Sequence, residues 1–142
     1  MRFWDSSALV ALLVDELSSA TVRGVHERDI AMTTWWGTEV ECVSALARLE
    51  REGRLDPGQL TDGVDRLDEL AAGWLEVEPT QRLRQAALRL LRVHALRAGD
   101  ALQLAAAMEA AEQQPQLLPF VTLDARLALA ADREGFPVVV PR

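Results

Sequence analysis

Short strand-like runs alternate along the chain with longer stretches whose apolar residues recur at helical spacing. The short runs predict strands at residues 2–5, 30–34, 74–78, 120–123 and 138–140. The periodic stretches predict helices at residues 7–14, 18–28, 36–52, 56–73, 80–94, 100–113 and 125–134. Pro57 at the start of one helix, and Gly53 and Gly135 after two others, are usual boundary residues.

This alternation predicts an α/β fold, a sandwich with a mainly parallel central sheet. A chain of 142 residues is long enough to bury a full core, so we expect a single domain over residues 1–142. In such sheets ligands bind beyond the carboxyl ends of the strands, where the strand order reverses. Candidate chemistry is therefore expected at that edge.

Four acidic residues occupy junctions between predicted strands and helices. Asp5 and Asp124 end strand-like runs, whereas Glu41 and Asp100 stand at the head of apolar helical runs. A single acid in such a place is usually a helix cap, because its carboxylate accepts from free backbone N–H groups. Four of them predict a cluster assembled from distant segments, and clustered carboxylates repel unless a cation neutralises them. The pattern therefore indicates a divalent-metal site.

The amino-acid composition excludes several classes of protein and of active site. Hydrophobic residues make up 49% of the chain and charged residues 26%, which is typical of a compact globular protein. The apolar run at residues 8–14 is too short to cross a bilayer, so we expect no membrane association and a cytoplasmic location. All 15 basic residues are arginine, which excludes a P-loop and Schiff-base lysine chemistry. The net charge of −7 weakens long-range attraction to nucleic acid without excluding it.

The acids belong to motifs that resemble one known family. These motifs are Asp5-Ser6-Ser7, Glu41 followed by Ser44-Ala45-Leu46, Arg97-Ala98-Gly99-Asp100-Ala101 with Gln103, and Thr122-Leu123-Asp124. In this order and at this spacing they closely resemble the PIN-domain family, and within it the VapC-type toxins of bacterial type II toxin–antitoxin systems. The resemblance covers nearly the whole chain and implies a three-layer α/β/α sandwich.

The resemblance further implies an endoribonuclease that depends on Mg²⁺ or Mn²⁺. Carried over by position, the metal-binding and catalytic acids are Asp5, Glu41, Asp100 and Asp124, and the supporting residues are Ser7, Thr122 and Arg97. A cognate antitoxin protein, an RNA substrate and a homodimer are implied as well. The chemistry agrees, because Mg²⁺ prefers carboxylate oxygens and can activate water for phosphodiester hydrolysis. Asp5 and Asp100 are the preferred direct ligands.

Several of these assignments have alternatives. A fold of this kind could serve a non-catalytic module that binds a protein or RNA, although none of the site acids is missing. Glu39 competes with Glu41, which the family motif favours. One residue of the pair Trp35 and Trp36 is expected in the core. An exposed tryptophan there could stack an unpaired base, fill a dimer interface or receive an antitoxin segment.

The arginines divide into two groups. Arg97 could contact the scissile phosphate or pair with a site acid, and the sequence leaves both open. Arg48 lies two turns beyond Glu41 on the same helical face and is a candidate for the lining of the substrate groove. Arg82, Arg89 and Arg92 share one face of a predicted helix, which is interpreted as an ordinary solvated face.

Overall fold

The computed structural model describes residues 1–140, with a five-stranded sheet at its centre. The strands are β1 (Arg2–Trp4), β2 (Met32–Trp35), β3 (Leu75–Val77), β4 (Phe120–Val121) and β5 (Val138–Val139). Their order is β3-β2-β1-β4-β5, and every neighbouring pair is parallel. The prediction of a mainly parallel sheet is confirmed. The predicted domain, residues 1–142, extends to Pro141 and Arg142, which lie outside the described residues.

Helices connect the strands and cover both faces of the sheet, as parallel strands require. They are α1 (Ser6–Leu13), α2 (Ser19–Arg28), α3 (Thr38–Arg51), α4 (Pro57–Ala71), α5 (Gln81–Val93), α6 (Ala98–Ala110) and α7 (Ala125–Arg133). Helices α1 to α4 share a core with Trp4, whereas α5 to α7 share a core with Phe3. Successive strand residues face opposite sides of a sheet, so β1 contributes to both cores. The three-layer α/β/α sandwich is confirmed.

Local side chains explain where two of the helices begin. Asp56 and Gln59 form a reciprocal capping box at the start of α4, with hydrogen bonds of 2.8 and 2.9 Å, and Pro57 follows at the first helical position. Thr80 caps α5 by accepting a 3.1 Å hydrogen bond from the backbone N–H of Leu83. These contacts satisfy N–H groups that have no partner within the helix.

All five strand predictions were wrong by one or more residues at an end. Strand β1 ends at Trp4, so Asp5 is the N-cap residue of α1 rather than the last residue of the strand. Strand β2 begins at Met32 and includes Trp35, which pairs with Val77 of β3 and is buried, while Trp36 is 52% exposed. One tryptophan of the pair therefore belongs to the core, as predicted. Strand β4 ends at Val121, so Asp124 lies beyond the strand rather than at its last position. Asp124 is instead the N-cap residue of α7.

The boundaries of α6 differ from the prediction for physical reasons. Arg97 has an extended backbone (φ −81°, ψ 165°) and is the N-cap, so α6 begins at Ala98 and Asp100 lies within its first turn. The helix ends at Ala110 because Glu112 and Gln113 adopt positive φ values of 49° and 66°, which are incompatible with its continuation. A short 3₁₀ turn, Pro115–Leu117, then leads into β4.

The topology creates a switch point at the carboxyl end of β1. The chain runs from β1 outward through β2 to β3, and then crosses to β4 and β5 on the other side of β1. Crevices at such reversals are the usual ligand sites of open α/β sheets. Asp5 directly follows β1 at this place. Within residues 1–140, no helix combines the length and the apolar character needed to cross a membrane.

Candidate active site

A pocket of about 470 Å³ opens at the carboxyl edge of β1. Segments that are far apart in the chain meet there: the start of α1, the first turns of α3 and α6, and the loop before α7. All the acids singled out in the sequence line this pocket: Asp5, Glu41, Asp100 and Asp124. The fold therefore brings them together at the expected edge, while their role as metal ligands stays a prediction.

A larger groove of about 920 Å³ adjoins this pocket, and the two share Val10, Ala45 and Arg48. The acids of the groove, Asp15, Glu16 and Glu52, are exposed to solvent. Exposed carboxylates are hydrated and do not oppose one another strongly. The smaller pocket, where Asp5 is buried and the other acids are half-buried, is therefore the candidate active site.

Asp5 is the most buried of the acids, with 2% of its surface exposed. Its Oδ2 accepts hydrogen bonds from the Ser7 hydroxyl, from the Ser7 backbone N–H at 3.3 Å and from the Thr122 hydroxyl at 2.8 Å. Burial raises the pKa of Asp5, and the charge of Asp100 adds to the rise, while the hydrogen bonds from Ser7 and Thr122 offset part of it. Within residues 1–140, the one hydroxyl near Oδ1 is that of Ser6 at 3.4 Å, and this hydroxyl lies closer to Glu41.

The hydroxyls of Ser7 and Thr122 join β1 to the loop after β4. Ser7 Oγ accepts a 2.9 Å hydrogen bond from the Leu123 N–H, and Thr122 Oγ1 accepts one of 3.0 Å from the Asp124 N–H. Because both hydroxyls also donate to Asp5, they fix the direction of its carboxylate relative to Asp124. The family resemblance named Ser7 and Thr122 as supporting residues, and their part in the chemistry of the site stays a prediction.

Asp100 and Asp124 line the pocket as half-buried acids. Asp124 caps α7, because its Oδ1 accepts from the N–H groups of Arg126 at 2.9 Å and Leu127 at 3.0 Å. Among the described residues, its Oδ2 receives no hydrogen bond. Burial raises the pKa of Asp100 and the charge of Asp124 raises it further, although Arg97 and Arg126 act in the opposite direction. The charge of Asp124 therefore opposes the ionisation of Asp100.

Glu41 is held at both carboxylate oxygens. The Ser6 hydroxyl donates to Oε2 at 3.1 Å, and the Gln103 amide donates from Nε2 to Oε1 at 3.2 Å. Burial raises the pKa of Glu41 to about 7, and the charges of Asp5 and Asp100 contribute to the rise. Glu39, its competitor in the sequence, is exposed to solvent and does not line the pocket. The structure therefore favours Glu41.

Sequence reasoning assigned no role to Ser6 or Gln103. Gln103 was part of the family motif, and the signal that could have identified it is its position as the one polar residue of the apolar run at residues 101–107. A polar side chain in such a run needs a buried partner. The role of Ser6 could not be recognised from the sequence, because serine is common at the start of helices for the sake of capping alone.

Arg48 and Arg97 line the pocket and are exposed. Within residues 1–140 neither side chain forms an ion pair. The backbone of Arg97 hydrogen-bonds Asp100, and both this bond and the charge of Arg97 lower the pKa of Asp100. In α5, by contrast, Arg82 and Arg89 pair with Glu109 and Glu134, as expected for a solvated face. The two pocket arginines are thus available for an anionic ligand.

Comparison with known proteins gives a consistent assignment. Residues 2–133 match the PIN domain family. Ribonuclease VapC45 and Ribonuclease VapC49, from Mycobacterium tuberculosis strains CDC 1551 and H37Rv, are each 32% identical over 106 residues, which is 75% of this chain and 74% of each relative.

Two solved structures resemble the fold. FitAcB from Neisseria gonorrhoeae has a TM-score of 0.66 at 19% identity, covering 99% of this chain and 98% of that one. PAE2754 from Pyrobaculum aerophilum has a TM-score of 0.60 at 23% identity, covering 91% of this chain and 78% of that one. At these identities the two structures support the fold alone. With the family match over residues 2–133 and the two VapC relatives, the chain belongs to the PIN-domain family, as its motifs indicated.

Proposed function

We propose that the protein is a divalent-metal-dependent endoribonuclease whose metal is held by Asp5, Glu41, Asp100 and Asp124. The observation that carries this proposal is the convergence of these carboxylates in one pocket, where burial and mutual repulsion raise the pKa of Asp5, Glu41 and Asp100. Such a cluster opposes its own ionisation, and a bound cation relieves that opposition. The two mycobacterial relatives, which are named ribonucleases, support RNA as the substrate.

The donor set suits Mg²⁺ or Mn²⁺. It consists of carboxylate and hydroxyl oxygens, which hard cations prefer, while the only thiol, Cys42, is part of the core. Within residues 1–140, no three Asp, Glu, His or Cys side chains are already grouped around one potential ion position. Mg²⁺ keeps several of its waters, so one or two carboxylates bind it directly and the others act through water. Asp5, through Oδ1, and Asp100 are the proposed direct ligands.

A bound metal supplies an activated water and stabilises charge on the phosphate. The chain's own residues bind and orient the substrate. Arg48 and Arg97 are exposed beside the acids and lack ion pairs within residues 1–140, so we assign them to phosphates that flank the scissile bond. Asp124, with Oδ2 unengaged among the described residues, is assigned to orient the attacking water.

The ribonuclease is further proposed to be the toxin of a toxin–antitoxin pair and to act in the cytoplasm as a homodimer. The motif resemblance supports the toxin, its antitoxin partner and the homodimer, and the VapC names of the relatives agree with the toxin assignment. A cognate antitoxin could neutralise the site by inserting an arginine among the acids. Its apolar side chains would lie in the adjoining groove of about 920 Å³, against Val10, Ala45 and Leu49.

The test is digestion of total RNA by the purified protein with Mg²⁺, with Mn²⁺ and with EDTA. Asp100→Ala removes a proposed ligand, and Glu39→Ala is the matched control because Glu39 is an exposed acid outside the pocket. We expect discrete fragments that require metal, persist with Glu39→Ala and disappear with Asp100→Ala.

Cleavage that survives both EDTA and Asp100→Ala would contradict the metal chemistry. Absence of cleavage together with absence of metal binding in calorimetry would favour a non-catalytic binding module. The toxin assignment has its own test, which is growth after expression without antitoxin. We expect growth arrest with the wild type and normal growth with Asp5→Asn. Undiminished arrest with this variant would mean that toxicity does not depend on the chemistry of the acid site.

A further inference from the structure

The side chain of Gln103 is a fully buried polar group that contacts the site. It is 0% exposed, and its neighbours along α6 are buried alanines and leucine. Its amide nitrogen donates to Thr38 Oγ1 at 3.1 Å and to Glu41 Oε1 at 3.2 Å. Its amide oxygen is buried and has no hydrogen-bond partner within the described residues.

Packing does not explain an amide at this position. A buried carbonyl oxygen without a partner destabilises the fold, and an apolar side chain of similar volume would avoid that cost. The amide nitrogen of Gln103 in α6, however, donates both of its hydrogen bonds to side chains of α3. Thr38 and Glu41 are three residues apart on α3, and Asp100 and Gln103 are three residues apart on α6, so each pair shares a helical face. Gln103 therefore links the site-bearing faces of α3 and α6.

The Gln103 amide can donate a hydrogen bond to Glu41 in only one of its two orientations. If it were flipped, its oxygen would face Glu41 Oε1 across 3.2 Å, and two acceptors at that distance repel. The Thr38 hydroxyl, which can donate or accept, suits either orientation, so the ionised form of Glu41 decides which one is adopted. The unpartnered oxygen is the consequence of presenting the nitrogen to the carboxylate.

Ser6 holds the other oxygen of Glu41 at 3.1 Å, so one donor on each oxygen fixes the plane of the carboxylate. A carboxylate oxygen has two acceptor directions, and a single donor leaves the second direction available to a ligand. Without Gln103, Oε1 would be free to rotate away from the direction in which Asp5 and Asp100 are held.

We infer that Gln103 is a positioning residue that holds the Glu41 carboxylate in place for the divalent cation. The inference rests on the proposed function, because it assumes that the pocket binds a metal. Partners that orient a metal ligand typically contribute about 10–100-fold to metal affinity. Gln103 acts through Glu41 and does not itself coordinate the ion.

The test is calorimetric titration of the RNA-free protein with Mn²⁺ and Mg²⁺. Gln103→Met keeps an unbranched side chain of similar length and removes the donor, and we expect its metal affinity to fall about 10-fold or more. Thr33→Val is the matched control, because Thr33 also carries a buried polar atom without a partner among residues 1–140 but lies outside the pocket. Its metal affinity should equal that of the wild type.

A double-mutant cycle distinguishes positioning from a general disturbance of the core. In the Glu41→Gln background, Gln103→Met should cause no further loss of affinity, because the carboxylate that it positions is already gone. An equal loss in both backgrounds, or wild-type affinity in the single variant, would overturn the inference.

Two further measurements complete the test. Circular dichroism of the metal-free variant verifies folding, and if Gln103→Met does not fold, Thr38→Val removes the amide's other partner while leaving α6 intact. Unchanged metal affinity in Thr38→Val would then count against a positioning role for Gln103. If the wild type binds metal and cleaves RNA, and Gln103→Met changes neither property, this inference is rejected and the proposed function is kept. A wild type that binds no metal would reject both.

Discussion

The hydroxyl of Thr122 donates a 2.8 Å hydrogen bond to Oδ2 of Asp5, across 117 positions of the chain. The two residues follow β4 and β1, which are neighbouring parallel strands. Ser7 donates to the same oxygen, which leaves Oδ1 as the oxygen of Asp5 with free acceptor capacity. The direction of the most buried acid is therefore set by the pairing of two strands, before any ligand is bound.

Thr122→Val should weaken both the fold and the site. The variant keeps the shape of the side chain but removes the donor to Asp5 and the acceptor for the Asp124 N–H. Because one of the lost bonds goes to a charged group, we expect a loss of about 2 kcal/mol in the free energy of unfolding, measured with urea. Metal affinity should fall about 10-fold. Thr34→Val is the control, because the Thr34 hydroxyl is buried and has no hydrogen-bond partner in the described part of the chain. Its removal should therefore be nearly neutral. Equal effects of the two variants would contradict the orienting role.

Glu41→Gln and Glu39→Gln should separate a site acid from a surface acid. The pKa of Glu41 is raised to about 7 by burial and by neighbouring charges, so at neutral pH its ionised form opposes folding of the metal-free protein. Neutralising it should raise the thermal midpoint of metal-free protein by a few degrees, while cleavage falls by about 10²-fold or more. Glu39 is exposed, and Glu39→Gln should change neither quantity. A lower midpoint in Glu41→Gln would mean that the carboxylate stabilises the fold without metal.

The gathering of the acids was predictable because it depends on topology alone. Parallel strands end at a common edge, so an acid after β1 and an acid after β4 must meet if the strands are neighbours. The end of β4 was predicted too late, since Leu123 continues the apolar run although its N–H already donates to Ser7. An apolar pattern does not reveal where a backbone leaves the sheet.

The hydrogen bonds that orient the acids were less accessible from sequence. Ser7 and Thr122 could be assigned through the family motif, whereas the contact between Gln103 and Glu41 depends on how α6 crosses α3. A crossing angle is set by the packing of many side chains and has no signature in spacing. The sequence therefore identified the acids better than the residues that hold them.

Glu134→Gln should destabilise the protein at neutral pH but not in acid. Glu134, which follows α7, accepts from Arg89 at 2.9 Å and lies 2.8 Å from His94 Nε2, which ties α7 to α5. Burial alone would raise the pKa of Glu134, but the contacts with His94 and Arg89 outweigh it and lower the pKa. The folded state then binds its proton less readily than the unfolded state, so the stabilisation is present above the unfolded pKa of about 4.3 and is lost as the pH falls through the lower folded pKa.

Urea unfolding at several pH values measures this effect. We expect Glu134→Gln to lose about 1 kcal/mol relative to the wild type near pH 7, and the difference to vanish below about pH 3. Glu27→Gln, a change at an exposed acid of α2, serves as the control and should follow the wild type throughout. A difference that persists unchanged in acid would assign the effect to packing rather than to the charge of Glu134.

Arg48→Gln should weaken RNA binding. Arg48 is exposed where the acid pocket meets the larger groove, so a strand that reaches the acids passes beside it. One lost phosphate contact reduces the slope of log affinity against log salt by about 0.7 for a single strand. Binding is measured by fluorescence anisotropy at several salt concentrations, with Asp100→Ala as the background so that the RNA is not cut. Arg92→Gln, in the solvated face of α5, is the matched control and should leave both affinity and slope unchanged. If both arginine variants lower the slope equally, RNA binding depends on overall charge and not on a path through the junction at Arg48.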